Sequence, residues 1–138
     1  EVCLAAYSLK QMKKSGRVSA AAAVVGDLLG IRPIISLNEG VSKVEAKVRG
    51  DAAVPPAMVK WVSSRVDNVR DMPYIVGYTS SKEKRDELVK LCKKTFGHAP
   101  LTTFQLGAAV SANTGPDAIA IAFKGHPRHL EAYAPQLP

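Results

Sequence analysis

The spacing of short apolar segments constrains the fold of this chain more than any other feature. Six segments have the length and composition of β-strands, at residues 2–7, 31–37, 42–48, 72–78, 101–106 and 118–123. About four segments with a helical period lie between them. Alternation of this kind predicts an α/β or α+β domain in which helices cover one mixed sheet of six strands.

The predicted helices begin and end at residues that favour helix termini. Residues 9–14 form a short amphipathic helix, and residues 19–29 form a second, alanine-rich helix that Ser19 can cap and Gly30 can close. The third is predicted from residues 58–69, after two prolines. The fourth starts at Ser80 or Ser81 and ends before Gly97.

The second and third strands are predicted to form a hairpin. The turn sequence Asn38-Glu39-Gly40 separates them. Polar and apolar residues then alternate through residues 42–48, so we expect Val44, Ala46 and Val48 to pack on one inward face.

Composition indicates one soluble globular domain. The chain has 138 residues, of which 46% are hydrophobic and 22% charged. The longest apolar stretch, residues 20–31, is broken by Gly26 and Asp27 and is shorter than the ~20 residues of a membrane span. Residues 125–138 carry three of the nine prolines without a clean period. We therefore expect a domain at residues 1–124 and a tail at 125–138.

Cysteine and histidine residues, which often mark reactive or metal sites, are not spaced here as such sites require. Cys3 and Cys92 lack a CxxC or Cys/His spacing and are predicted to be free, buried thiols in a reducing compartment, with a structural disulfide as the alternative. His98, His126 and His129 lack acidic or cysteine partners at ligand spacing, which argues against a metal, and we expect them to be exposed. The sequence contains no P-loop, no GxSxG and no GxGxxG pattern, so the common sequence signals of a nucleotide-binding protein or a hydrolase are missing. The chain starts at Glu1 without a signal-peptide pattern, so we expect upstream sequence to be missing.

The net charge of +7 and the pI near 9.6 favour an acidic partner. Nucleic acid, an anionic membrane surface, a fatty carboxylate, a phosphate and an acidic protein all satisfy this requirement. Lys10, Lys13, Lys14 and Arg17 form the most concentrated basic cluster. A solvated helix face with cations near its C-terminus explains the same cluster without any ligand.

Three ordered motifs carry a resemblance to a known family. The segment Leu9-Lys10-Gln11-Met12-Lys13-Lys14-Ser15-Gly16-Arg17-Val18-Ser19, with the alanine-rich segment and Ile31-Arg32-Pro33-Ile34-Ile35 after it, resembles the DegV signature "LKKGGRIS" and "AAALIGxLLNIKPIL". Residues 44–50 are similar to "EKVRG" of that family. Asn113-Thr114-Gly115-Pro116 is similar to "HTGPG". Together the motifs cover about residues 9–123.

The resemblance implies a C-terminal domain of DegV type, with two layers on a mixed six-stranded sheet. Family members are bacterial, cytoplasmic carriers without a cofactor or catalysis of their own. They bind a long-chain fatty acid between two domains and present its carboxylate to a fatty acid kinase. The partners implied are the fatty acid, the N-terminal domain, the kinase and a transient membrane surface, whereas nucleic acid is not expected.

The resemblance also implies roles for four residues. Arg17 lies at the domain junction near the ligand, and Arg49 lies on the phosphoryl or kinase face. Asn113, followed by Thr114, takes the place of the family's carboxylate-binding histidine and can donate a hydrogen bond but cannot become cationic. Asp51 stands where the family commonly has a second basic residue, which predicts a less basic anion site.

Three of these residues also fit simpler roles, and the charge fits another function. Asn113 suits turn chemistry, Arg49 at a strand end suits a surface cation, and Arg17 suits a bridge to the missing domain. An alternative function that follows from the charge is a basic nucleic-acid-binding or regulatory module. The basic cluster lacks the interleaved aromatic residues that single-strand binders use for stacking.

Overall fold

The computed structural model describes residues 1–7, 31–38, 41–107 and 117–125. The strands are β1 (Val2–Ala5), β2 (Ile31–Asn38), β3 (Val41–Arg49), β4 (Tyr74–Tyr78), β5 (Thr103–Gln105) and β6 (Ile119–Phe123). The helices are α1 (Val54–Ser63) and α2 (Lys82–Phe96), with 3-10 turns at Asp51–Ala53 and Val69–Asp71. The predicted helices at 9–14 and 19–29, positions 39–40 of the predicted turn and residues 126–138 of the predicted tail lie outside this description.

The six strands form one mixed sheet in the order β3-β2-β1-β6-β4-β5, which confirms the predicted fold class. Every neighbouring pair is antiparallel except β4 and β5, which are parallel. Consequently β1, β3, β4 and β5 all finish at one end of the sheet, where β2 and β6 begin. We call this end the signature end and the other the distal end.

Both described helices pack on the same side of the sheet, which we call the helix face. Helix α1 crosses β1, β2 and β3, whereas α2 contacts β4 and α1. The largest buried side chains of this core include Tyr74, Phe96, Ile34, Met58, Leu88, Ile119 and Ile121. Tyr74 and Phe96 meet edge to face with their ring centroids 5.1 Å apart. The helix face is therefore a conventional packed core.

Helix α2 begins and ends as its sequence predicts. The Ser81 hydroxyl oxygen accepts a hydrogen bond of 3.2 Å from the Lys84 backbone N–H, which satisfies one free donor of the first turn. The helix ends at Gly97, whose φ of 84° lies in the left-handed region that favours glycine.

Helix α1 ends earlier than predicted, at Ser63 rather than near residue 69. The hydroxyl of Ser63 donates 2.8 Å to the Val59 carbonyl, and that of Ser64 donates 2.6 Å to the Trp61 carbonyl. Such bonds compete with the backbone ladder at a helix end. Val66 and Val69 still pack against the core, but from the turn that follows.

Strand β3 contains an irregularity that the alternating sequence does not reveal. Ile34 pairs with Ala46 whereas Ile35 pairs with Val44, so Glu45 is an extra residue in β3. Ala46 packs on the helix face, but Val44 packs on the opposite face. The expectation that Val44, Ala46 and Val48 share one inward face is therefore wrong, because the bulge reverses the alternation.

Strands β4 and β5 are shorter than the predicted segments. Met72 and Pro73 precede β4, and only residues 103–105 of the segment 101–106 pair in β5. Within the described parts of the chain, no helix has the length and apolar character required to cross a membrane.

Candidate functional site

The opposite face of the sheet carries two rows of mainly apolar residues. The register across all six strands aligns Val44, Ile35, Leu4, Ala120, Gly77 and Phe104 in one row. The neighbouring row, nearer the distal end, consists of Leu37, Val2, Ala122 and Ile75. Because paired residues in a sheet point to the same side, the two rows form a continuous apolar layer. Leu4, Ile35 and Ala120 of this layer are buried in a second core cluster.

Small side chains occupy the centre of this surface. Ala118, Ala120 and Ala122 alternate along β6 with Ile119, Ile121 and Phe123, which point to the helix face. We call these three alanines the alanine floor. It spans about 13 Å, given the usual rise of a strand. Ala118 and Ala120 are buried, whereas Ala122 is half-buried.

Bulky side chains border the alanine floor on both sides. Leu4 of β1 pairs with Ala120 on one side, and Gly77 of β4 pairs with it on the other. The ring of Phe104 lies across Gly77, so a Cβ atom at that position would meet its Cζ at 2.7 Å. A glycine is required here because any side chain would displace the ring. The result is a strip of small residues between an aliphatic and an aromatic border.

The signature end brings together the described residues that flank the sequence motifs. Tyr7 follows β1 and precedes the segment that contains Arg17, which leads to Ile31 at the start of β2. Asp117 follows the segment that contains Asn113 and Thr114 and precedes β6. Arg17, Asn113 and Thr114 themselves lie outside the described residues, so their roles remain predictions.

Arg49 is the one predicted site residue that the structure describes. It ends β3 at the signature end, is exposed, and pairs with Ile31. Lys47 is also exposed and pairs with Pro33, so both cations stand on the face that carries the apolar rows. Neither makes an ion pair with another described residue.

Nearby carboxylates reduce the positive charge of this end. The Arg32 guanidinium donates from Nε to Asp51 Oδ1 at 3.0 Å. Asp117 accepts a hydrogen bond of 3.3 Å from the Ser80 hydroxyl. Asp51 is thus paired with Arg32, and Arg49 remains a cation without a described acidic partner. The less basic anion site stays a prediction.

Tyr7 belongs to this end of the sheet, although no sequence motif selects it. Its ring lies under the Lys84 ammonium, 4.5 Å from the ring centroid. Burial, and to a smaller extent the charges of Asp51, Glu87 and Asp117, raises the pKa of Tyr7 to about 12, although Arg32 acts in the other direction. No local motif could have identified this contact, because it joins the end of β1 to the first turn of α2.

The two cysteines are free and buried, as predicted. Burial raises the pKa of Cys92 to about 12 and raises that of Cys3 further. Both groups therefore remain thiols at neutral pH and are poor nucleophiles or metal ligands.

The expectation that His98 is exposed is wrong. The side chain is half-buried, with Nε2 3.0 Å from the Val69 carbonyl and its ring edge to face with Tyr74 at 5.2 Å. An apolar ring body with one satisfied nitrogen packs well at a core margin. His126 and His129 lie outside the described residues. The part of the chain that the structure describes contains no group of three side chains suited to hold a metal.

Comparisons with known proteins find relatives similar in sequence and solved structures similar in fold. A DegV domain-containing protein of Clostridium acetobutylicum is 29% identical over 116 residues, which are 84% of this chain and 40% of that protein. A stearic acid-binding protein from Eubacterium ventriosum superposes with a TM-score of 0.78 at 23% identity, over 88% of this chain and 43% of its own. A DegV family protein from Eubacterium eligens, loaded with heptadecanoic acid, gives 0.76 at 18% identity, over 87% and 43%.

This chain therefore spans about two-fifths of the length of these relatives. The sequence profile described as "uncharacterised protein, DegV family" matches residues 1–125. The chain belongs to the DegV family.

Proposed function

We propose that this chain is the C-terminal half of a bacterial, cytoplasmic carrier that binds a long-chain fatty acid and presents its carboxylate to a fatty acid kinase. It acts as a binding module rather than as an enzyme. The observation that carries the proposal is the alanine floor, an apolar strip that starts at the signature end. Relatives of the same fold are described as binding stearic or heptadecanoic acid.

The alanine floor suits an extended hydrocarbon chain for steric and energetic reasons. Alanine side chains are short enough for an acyl chain to lie close to the backbone of β6, between Leu4 and Phe104. Ala118 and Ala120 are 1% and 3% exposed, so a bound chain would displace the groups that cover them. Each buried methylene contributes about 0.8 kcal/mol, so the tail supplies most of the affinity. The tail would run from Ala118 toward Ala122, which leaves the carboxylate at the signature end.

The carboxylate would then meet the residues predicted from the motifs. Arg17 supplies a cation, and Asn113 and Thr114 supply neutral hydrogen-bond donors. Without the N-terminal domain that the resemblance implies, we expect the chain to bind a fatty acid weakly. With that domain, binding should be stoichiometric.

Native mass spectrometry with stearic acid tests the proposal on the chain alone and on a longer protein that includes the N-terminal domain. In the longer protein, Ala120→Leu should place a branched side chain on the floor and weaken binding at least about tenfold. Ala99→Leu, at an exposed position, is the matched control and should leave binding unchanged. Ala120→Val provides a milder change if the leucine variant melts early. Absence of bound fatty acid in the unmodified longer protein would reject the proposal.

Arg49 would have a role that is separate from lipid binding, namely in presenting the bound fatty acid to the kinase. Arg49→Ala should lower phosphorylation of the bound fatty acid by a fatty acid kinase while leaving lipid affinity intact. Arg70→Ala removes the same charge from an exposed turn before β4 and is the control. Equal loss of affinity and phosphorylation in the Arg49 variant would argue against this division of roles.

A further inference from the structure

A groove at the distal end of the sheet lies where the chain leaves β6. It has a volume of about 360 Å³ and is bordered by the turn between α1 and β4 and by the two residues that follow β6. Its lining combines apolar and acidic side chains with the backbone of a glycine, and includes Val66, Met72, Pro73, Asp67, Asp71 and Gly125. We call it the exit groove.

A backbone hydrogen bond fixes the point at which the chain enters the exit groove. The N–H of Lys124 donates 3.1 Å to the Pro73 carbonyl, so the chain passes the start of β4 directly after β6. Gly125 is the next residue and lines the groove itself. Residue 126 is therefore bonded to the groove, and no linker separates the following segment from it.

The exit groove and the segment that follows it carry opposite charges. Asp67 and Asp71 are both exposed, and the Asn68 amide donates 2.8 Å to Asp71 Oδ2, which orients that carboxylate. Lys124 also lines the groove, so an excess of one negative charge remains. Residues 126–129, which lie outside the described residues, read His-Pro-Arg-His. We call them the exit segment. It has one permanent cation and two histidines that can become cationic.

The exit segment also lies beyond the part of the chain that matches the family. The DegV profile matches residues 1–125, and the segment begins at the next residue. The acidic side chains of the groove, in contrast, belong to the matched domain. A contact between the two would therefore be an addition to the family domain and not a part of it.

We propose that the exit groove docks the exit segment of the same chain. Arg128 lies beside the carboxylates of Asp67 and Asp71, and Pro127 packs on the apolar side of the groove, at Val66. A surface ion pair is weak by itself. Here, however, covalent attachment holds the segment at an effective concentration in roughly the millimolar range, so weak contacts are sufficient for docking. Docking of this kind does not depend on the proposed fatty-acid function.

Thermolysin cleavage before Leu130 in the full chain provides the test, because the protease requires the preceding residues to be accessible. Asp67→Lys should accelerate this cleavage at least about fivefold, since it places like charges together. Arg128→Glu should have the same effect. The double variant should be cleaved about fivefold more slowly than Arg128→Glu, because the charge pair is restored with the signs exchanged. Mass spectrometry identifies the cleaved bond.

Glu87→Lys is the matched control, because it makes the same change of charge at an exposed position of α2. It should alter the rate by less than about twofold. Equal acceleration by Glu87→Lys and Asp67→Lys, or no recovery in the double variant, would overturn the proposal. Protection should also be independent of protein concentration. Protection that is lost on dilution would assign the groove to the exit segment of a second copy and would overturn docking within one chain.

Discussion

The two faces of the sheet use the same strands in opposite ways. Strand β6 and the residue before it read Ala-Ile-Ala-Ile-Ala-Phe, with every large side chain on the helix face and every alanine on the other. On the helix face, Ile119 and Ile121 are buried in the core cluster that also contains residues of α1 and α2. On the opposite face, the alanines and Gly77 keep side-chain bulk away from the backbone.

This difference sets how much each face of the sheet contributes to stability. Large buried side chains contribute most of the hydrophobic stabilisation, because it scales with the apolar area removed from water. Small side chains contribute less, although Leu4, Ile35 and Ala120 are also buried, in a second apolar cluster on the opposite face. The helix face, with its larger side chains, therefore supplies the greater share of the packed core.

Truncation of a helix-face residue should have the largest effect on stability. Ile121 is fully buried, so Ile121→Ala should lower the free energy of unfolding by about 3 kcal/mol through lost burial and a residual cavity. Ile75→Ala makes the same truncation on the opposite face, where the residue is half-buried, and should cost about 1 kcal/mol. Urea denaturation measures both values. Equal losses would mean that the two faces contribute alike.

A larger side chain at a small residue of the opposite face should have an intermediate effect on the free energy of unfolding. Gly77→Ala forces the Phe104 ring to move and should cost about 1–2 kcal/mol. A Cβ atom at Gly107 would meet nothing within 4 Å, so Gly107→Ala should change stability by less than about 0.5 kcal/mol. Phe104→Leu should recover part of the loss in a double mutant. Without that recovery, the ring would not be the cause.

A rise to alkaline pH should have the smallest effect on stability. This effect would come from titrating groups that are buried on the helix face. Cys92 and Tyr7 both pack into or against that core, and burial raises the pKa of each to about 12, from ordinary values of 9.0 and 10.0. The unfolded chain therefore loses these protons first. Stability should be fully present below pH 9 and fall as the pH rises toward 12.

Tyr7→Phe keeps the ring but removes one titrating group. Its stability should fall less steeply between pH 10 and 12 than that of the unmodified protein, by less than about 1 kcal/mol in total. Urea denaturation at successive pH values provides the measurement. Identical slopes for the two proteins would show that Tyr7 is solvated in the native state.

Local sequence signals predicted most of the described elements. Helix α2 agrees with its signals because its serine cap and terminal glycine act within a few residues of the chain. The six strands follow from apolar runs. The end of α1 and the face of Val44 were missed, since serine back-bonds and a bulge depend on geometry that an alternating pattern does not encode.

The candidate site was predictable only in part. Its motif residues were visible as a resemblance, but Arg49 alone falls within the described residues. The alternation of β6 could have indicated a face with small residues, because isoleucine and alanine differ so much in volume. The contact of Lys84 with Tyr7 had no sequence signal, since the two residues belong to distant elements.

The sequence by itself determined the number of strands, the two caps of α2 and membership of the DegV family, because these depend on local pattern and motif order. Tertiary structure decided which side chains of each strand point to which side of the sheet. It also decided where the residues that flank the sequence motifs meet. The strand order inserts β6 between β1 and β4, and only this pairing places its alanines between Leu4 and Phe104. Long-range pairing of this kind leaves no local trace, since the residues that form this face come from six different strands.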